Sequence, residues 1–461
     1  MKRFLTRFMI ILTLGFSKAS SAQNFTVVDS VPEGAYGNAA WGDFNNDGFK
    51  DLCYISQVLP NAACKIFTFN GTSFSEIIQQ LPMLYNAGVC WGDLNNDGFD
   101  DLVVNGADST ISGSTFIYQS LGNGTFIPMP NTIPGLSAGS VDVADYNNDG
   151  WKDIAVTGMN DFGVEKAFIY KNNGSFVFTD VNASLAGVHF GEIKWGDFNN
   201  DGLKDLLING IGSFDFRARI YQNMGQDTFQ LLNIYMKGSG GTADWCDFDH
   251  DGWQDVLISG YDSTSTGNFI ELHHNNHNNT FSIVTSGLPD FGEPVSLDIA
   301  DFNNDSLEDI CFMGGSTAFP ITGSALSFNQ GNSLFLSQPF LSGNITNCIV
   351  SAADYDNDGD VDLFFGTYFL RNDGVTGVEE NDRSASVSIY PNPSNDLIHV
   401  SSSISFEEVE VYTMVGEKLK SVGSNERELT INAKEIPAGN YIVRINSKEA
   451  VAVMKKITII R

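Results

Sequence analysis

Positive charge is scarce in this chain. Only 25 Lys and Arg stand against 56 acidic residues, a formal charge of −31. A surface so acidic repels a phosphate backbone, which excludes nucleic acid as a partner. Long apolar runs are also missing, and no stretch approaches the ~18 residues a transmembrane helix needs. Cysteine is sparse. Six (Cys53, Cys64, Cys90, Cys246, Cys311 and Cys348) are few for a disulfide framework in 461 residues. Several lie in strand patterns such as Asp309-Ile310-Cys311-Phe312 and read as small buried residues, although Cys53 and Cys64 could face each other across a hairpin. There is no Gly-x-Ser-x-Gly elbow and no phosphate-binding loop, and no carboxylate pair stands apart from the acidic loops described below.

What is present begins at the N-terminus. Lys2, Arg3 and Arg7 precede an apolar run from Phe8 to Phe16, and Ser20-Ser21-Ala22 fits a small-residue cleavage site. This reads as a secretory signal peptide over residues 1–22. Its loss removes Lys2, Arg3, Arg7 and Lys18 and no acid, taking the formal charge from −31 to −35.

One stretch organises the rest: Asp43-Phe44-Asn45-Asn46-Asp47-Gly48-Phe49-Lys50-Asp51. Calcium takes six to eight oxygen ligands, so a short loop must aim alternate side chains at one point. Positions 1, 3 and 5 can do that, Gly at 6 permits the sharp turn, position 7 can offer its carbonyl, and Asp at 9 closes the cage. This is the first half of an EF-hand signature without its closing Glu, since Tyr54 stands at position 12. The flanks Ala39-Ala40-Trp41-Gly42 and Leu52-Cys53-Tyr54-Ile55 read as strands.

The loop returns at Asp93, Asp145, Asp197, Asp247, Asp301 and Asp354, with spacings of 50, 52, 52, 50, 54 and 53 residues. A period near fifty with four short strands per period indicates a β-propeller. The last repeat lacks a fourth strand, and Asn24 to Val28 precedes the first loop with no strands one to three before it. The N-terminal strand is therefore expected to complete the last blade, closing a monomeric ring of seven blades and removing two exposed sheet edges. Two residues before the loops stand Trp41, Trp91, Trp195 and Trp245, best read as packing between blades, and the position-2 residues (Phe44, Leu94, Tyr146, Phe198, Phe248, Phe302, Tyr355) anchor each loop to its sheet.

The pattern, the period and the Ile-Tyr-x-Asn-x-Gly third strand resemble the FG-GAP or VCBS repeats of integrin-alpha-like propellers, over residues 24–374. In that family the loop residues coordinate calcium. The resemblance implies up to seven structural calcium ions. Their ligands would be Asp43, Asn45, Asp47 and Asp51, then Asp93, Asn95, Asp97 and Asp101, then Asp145, Asn147, Asp149 and Asp153, and then Asp197, Asn199, Asp201 and Asp205. The later loops would supply Asp247, Asp249, Asp251 and Asp255, then Asp301, Asn303, Asp305 and Asp309, and finally Asp354, Asp356, Asp358 and Asp362. Loops five and seven, with Asp249 and Asp356 at position 3, carry more charge; in loop six Ser306 replaces Gly and strains the turn.

After Gly374 the pattern stops. The expected division is a signal peptide at 1–22, a propeller at 23–374, a linker at 375–385 and a second domain at 386–461. That last segment holds nine acids and nine bases, so the net acidity lies in the propeller. Alternation in Glu408-Val409-Glu410-Val411-Tyr412 and Tyr441-Ile442-Val443-Arg444-Ile445 indicates a small antiparallel β-sandwich. The fold class is therefore all-β. The words Tyr390-Pro391-Asn392-Pro393, Leu397-Ile398-His399-Val400, Ile436-Pro437-Ala438-Gly439-x-Tyr441 and Lys455-Lys456-Ile457 resemble the type A C-terminal sorting domain of the type IX secretion system of Bacteroidota. That likeness implies passage through the outer membrane by the type IX machinery, removal in the linker, and attachment to surface lipopolysaccharide or release.

Of the six histidines, His273, His274 and His277 form the one cluster. They fall where other repeats have Tyr followed by Asn and Gly, and read as solvated turn residues rather than zinc ligands. In a four-stranded meander the loops between strands one and two lie on one face; the turns between strands two and three and the crossings between blades lie on the other. That second face carries Tyr36, Tyr85, Phe162, His189, Phe214, Phe216, Tyr261, Phe291 and Phe319, with the basic pair Arg217 and Arg219. Exposed aromatics on a rigid ring suit glycan or protein recognition. The expected function is a secreted or cell-surface, non-catalytic binding or adhesion module. The competing expectation is a polysaccharide lyase or hydrolase, which would need converging Arg, Lys or His residues at the ring centre; residues 23–385 hold only 12 Lys and Arg.

Overall fold

In the computed structural model the chain forms two compact units, residues 1–376 and 377–461. The described residues are 23–31, 37–56, 63–79, 81–288 apart from 109, 111, 214 and 262–267, 296–314, 323–340 apart from 332, and 349–375. In the second unit they are 387–390, 394–395, 397–402, 408–413, 418–423, 426–446 apart from 435 and 438, and 453–459. The targeting segment lies outside them, as do Tyr36, Phe214, Phe291 and Phe319.

The third repeat shows how sequence becomes sheet. Val141–Ala144, Asp153–Met159, Glu165–Asn172 and Phe178–Asp180 pair antiparallel in that order, with Val143 opposite Ile154 and Ile154 opposite Tyr170. The second strand is buried on both faces, so it needs a continuous apolar run rather than alternation; Ile154, Ala155 and Val156 are wholly buried, as are Leu102-Val103-Val104 and Leu206-Leu207-Ile208 in neighbouring repeats.

The same meander recurs within residues 37–77, 85–129, 189–231, 240–284 and 296–339, and in residues 350–375 joined by Gln23–Ser30. Among the described residues of this unit that makes seven antiparallel sheets. Gln23–Ser30 pairs with Tyr368–Val375, Thr26 opposite Arg371 and Val27 opposite Leu370, and so supplies the strand that residues 350–375 lack. The first strands of successive sheets are neighbours in order, and Val350–Ala353 is in turn a neighbour of Gly37–Gly42. This is a propeller-like order of sheets.

The cores lie between the sheets. One cluster joins Tyr146 and Ile169 of the third sheet to Ile193, Trp195 and Tyr221 of the fourth; another joins Leu52, Tyr54 and Phe67 of the first to Tyr355, Phe364 and Phe369 of the last. A recurring stack explains the tryptophans. The position-2 ring of one repeat lies on the Trp two residues before the next loop: Phe44 on Trp91 (6.3 Å, 23°), Tyr146 on Trp195 (5.4 Å, 6°), Phe198 on Trp245 (6.3 Å, 7°) and, from last to first, Tyr355 on Trp41 (5.6 Å, 18°). Such pairs add about 0.5–1.5 kcal/mol to the burial of their area.

The second unit has two sheets. Val387–Tyr390, Leu397–Ser402 and Glu428–Asn432 form one; Lys418–Gly423, Glu408–Thr413, Gly439–Asn446 and Val453–Ile459 form the other. Ile398, Val400 and Ile431 meet Val409, Val411, Val443 and Ile445 in a common core, the arrangement of a β-sandwich.

Candidate metal loops and the opposite face

Each loop turns because its side chains fold back on their own backbone. In the first, Asp43 Oδ1 accepts the Asp47 amide at 3.1 Å and Oδ2 the Gly48 amide at 3.0 Å, Asn45 Oδ1 accepts the Asp47 amide at 3.0 Å, and Asp47 Oδ1 accepts the Phe49 amide at 3.0 Å. The same set recurs at Asp93, Asn95 and Asp97, at Asp145, Asn147 and Asp149, at Asp197, Asn199 and Asp201 and at Asp301, Asn303 and Asp305. Position 6 lies in the left-handed region that glycine enters freely, as at Gly48 (φ +88°). Ser306 is held there too, at φ +71°.

Position 9 is the buried floor. Asp51, Asp101, Asp153, Asp205, Asp255, Asp309 and Asp362 have no exposed surface. One oxygen of each takes the amide of the residue ending the third strand, as from Asn172 to Asp153 Oδ1 at 2.7 Å and from Asn223 to Asp205 Oδ1 at 2.7 Å. Burial, reinforced by the other loop carboxylates, pushes these carboxyls up to about 7 in Asp51, Asp101, Asp153, Asp205 and Asp309. In Asp255 and Asp362 it pushes them to about 8.

The loops with Asp at position 3 gather most charge. Carboxylate oxygens of Asp247, Asp249 and Asp251 lie within 4.8 Å of one another, as do those of Asp354, Asp356 and Asp362. Asp358, which completes the seventh set, accepts the Asp360 amide at 3.0 Å. Asp249 Oδ1 and Asp356 Oδ1 are buried without a hydrogen-bond partner, which is costly for a carboxylate. A hard dication with oxygen ligands fits this donor set by charge and by atom type.

Two features were not legible in the sequence. Asn172, the Asn of the Ile-Tyr-x-Asn-x-Gly word, joins repeats: its Nδ2 donates to Leu94 O of the preceding repeat at 2.7 Å and to Lys152 O at 3.0 Å, while Oδ1 accepts the Gly174 amide at 3.0 Å. Asn223, Asn275, Asn329 and Asn372 do the same toward Tyr146, Phe198, Phe248 and Phe302. The Asn-x-Gly word carries the signal, but its partner is 70 to 81 residues away. The second feature is a charged cluster on the first strands, three and five residues before the loops. Lys194 stands 3.5 Å from Asp244, and its charge is shared with Glu192, Asp142 and Asp298, which together raise its pKa. This group contains carboxylates outside the loops, and its single cation is surrounded by acids.

The histidine expectation holds for one residue and not for the other two. His277 lies in the turn and is exposed, with its ring 2.7 Å from Asp251; His274 is on the third strand, 3.3 Å from Asp249, and His273 is buried there against Glu271 at 3.2 Å.

On the opposite face Phe162 is 89% exposed and Tyr85 is half-buried. His189 is part-buried, with its Nδ1 3.3 Å from Glu165. Around the fourth sheet, Phe216 packs edge-on against Tyr261 at 5.9 Å, and Arg217 lies over the ring of Tyr235 at 5.3 Å. Arg217 and Arg219 are not a free basic pair: both grip Asp215, at 2.9 Å each, which leaves one net positive charge beside the exposed ring of Tyr235.

Fold and loops together define an all-β repeat protein built on acid-rich turns. The FG-GAP-like repeat model matches residues 43–104, 93–156, 145–208 and 247–312, just over half of the chain, and the secretion system C-terminal sorting domain model matches residues 388–460. The chain therefore belongs to the FG-GAP-like repeat family and ends in a type IX sorting domain, which directs export to the cell surface or the extracellular space. No curated protein matches it. Among solved structures it is similar to PorZ, an essential surface component of the type IX secretion system of Porphyromonas gingivalis, at 16% identity and TM-score 0.45, over 89% of this chain and 58% of that one. It therefore spans less than two thirds of PorZ. It is also similar to Bacillus licheniformis rhamnogalacturonan lyase PL11, at 12% identity and TM-score 0.43 over 78% of this chain and 74% of that one. A third similar structure is the extracellular domain of a hybrid two-component system from B. thetaiotaomicron, at 12% identity and TM-score 0.45 over 94% and 57%. No helix among the described residues is long and apolar enough to cross a membrane.

Proposed function

We propose that the first unit is a closed seven-bladed propeller whose loops hold calcium as structural metal, up to seven ions, and that its opposite face is a non-catalytic binding surface for a glycan or protein outside the cell. The observation that carries the binding reading is the group at the edge of the fourth sheet. Tyr235 is 72% exposed and Tyr261 36% exposed, and the Arg217 guanidinium lies over Tyr235. Aromatic faces beside a guanidinium are the chemistry that stacks on sugar rings or anchors a side chain.

The cluster around Lys194 is not an elimination site. A lyase site needs a cation free to neutralise a uronate and a base with an accessible proton to take. Lys194 is already balanced by Asp244, Glu192, Asp142 and Asp298. The test is an array of polysaccharides and extracellular proteins, scored for retention and for degradation. Retention without new chain ends, lost in Tyr235→Ala, is the expected outcome; release of unsaturated or reducing ends would refute the non-catalytic reading.

A further inference from the structure

The fifth loop differs from the others in what surrounds it. Two imidazoles reach it from the end of Asn268–Asn275 and the turn beyond. His274 Nδ1 stands 3.3 Å from Asp249 Oδ2 and 3.3 Å from Asp255 Oδ1; His277 Nε2 is 2.7 Å from Asp251 Oδ2. At the position of His274, just before the last residue of the third strand to contact the loop floor, other repeats carry Thr68, Gln119, Lys171, Gln222, Phe328 and Arg371, none of them an imidazole. Ligand atoms of Asp249, Asp255 and His274 lie within 4.8 Å of one another, and so do those of Asp251, His274 and His277.

His274 Nδ1 is buried with no hydrogen-bond partner, and so is the second oxygen of each carboxylate, Asp249 Oδ1 and Asp255 Oδ2; Asp255 Oδ1 accepts the Asn275 amide at 2.7 Å. Asp255 is wholly buried. The Phe248 amide approaches it without reaching the geometry of the hydrogen bonds that Phe44 and Leu94 make in their loops at 3.3 and 2.9 Å. His274 Nδ1 is near enough to two carboxylates for a hydrogen bond and is directed at neither. Asp249, Asp255 and His274 converge without a hydrogen bond from the ring to either carboxylate, an arrangement that suits ligands around a common ion. Tetrahedral ligands with bonds of about 2.0–2.1 Å stand about 3.3–3.4 Å apart, which is the separation of His274 Nδ1 from both carboxylates.

Imidazole changes the metal that such a loop prefers. All-oxygen cages suit calcium, whereas imidazole with carboxylates suits zinc and its first-row neighbours. We propose that the fifth loop is a zinc-class site in which Asp249, Asp255 and His274 ligate a transition-metal dication, with Asp251 and His277 closing its open side. Trp253 holds His277 in place, the two rings stacked at 4.6 Å and 18°. The assignment replaces calcium in this one loop and does not depend on calcium in the others.

The test uses the full secreted chain, stripped of metal and dialysed against excess calcium chloride with equimolar zinc chloride, with zinc and calcium counted separately by mass spectrometry. A cobalt titration in parallel reads the visible bands of a tetrahedral site. Expected are one zinc retained per chain over excess calcium and a tetrahedral cobalt spectrum. Both should be lost in the double variant His274→Gln and His277→Gln, whose calcium content is that of the parent or one ion more, and both kept in Asp356→Asn. A folded wild-type chain that retains no zinc over calcium overturns the proposal, and so does equal zinc retention in the histidine variant. Should the variant fail to fold, the wild-type competition and the cobalt spectrum decide by themselves.

Discussion

Ser306 is the residue at which the loop pattern strains. Glycine fills position 6 in the other loops, and serine at φ +71° sets the cost of a left-handed residue, about 1–2 kcal/mol, against glycine's extra chain entropy, about 0.5–1 kcal/mol. Ser306→Gly is expected to stabilise the protein by about 0.5–1 kcal/mol, read as a higher melting temperature. The position-9 aspartates set a pH dependence. Their folded pKa values, about 7 to 8, lie above the unfolded value near ~3.9, so the metal-free fold binds more protons than the unfolded chain. Its stability is therefore fullest below pH ~4 and falls as pH rises toward ~8. In chelator the melting temperature should drop between pH 5 and pH 8; if calcium takes the place of those protons, as proposed, saturating calcium should abolish the drop. A chelated protein that melts higher at pH 8 than at pH 5 would refute this.

Between neighbouring elements, the stacks and the asparagine bridges do the joining. The wholly buried Tyr355 on Trp41 links the last repeat to the first, so Tyr355→Ala should cost about 3–5 kcal/mol in a denaturant melt. Asn223→Ala removes bonds to Tyr146 O, Lys204 O and the Gly225 amide and strands buried carbonyls, at about 2–4 kcal/mol; a loss below ~0.5 kcal/mol would contradict the bridging role. This scale also separates what is legible in the sequence from what is not. The loops, the strand pattern and the packing of Trp91, Trp195 and Trp245 can be read because each is a local word repeated at a fixed period. The reach of Asn172 to Leu94 is not, because a turn asparagine looks the same whether or not a carbonyl of another repeat waits beside it. Nor is the cluster at Lys194, whose members sit some fifty residues apart and meet only because first strands are neighbours. Arg217 and Arg219 misled because what neutralises them, Asp215, is an ordinary turn acid by sequence.

For the whole molecule, acidity and export belong together. The chain leaves the cell by the type IX route, and its excess carboxylates are concentrated in loops that fit a hard dication. A metal bound only by the folded state stabilises it by about 2.7 kcal/mol per site at free ion 100-fold above Kd, and on the proposed reading several loops would contribute. The neutral C-terminal sandwich, with a core of its own, should melt independently of calcium. The most direct measurement is therefore calorimetry of the full chain in calcium and in EDTA. The account predicts that the propeller transition falls on the order of 10 °C or more on chelation while the sandwich transition stays in place; an unchanged propeller transition in EDTA would contradict it.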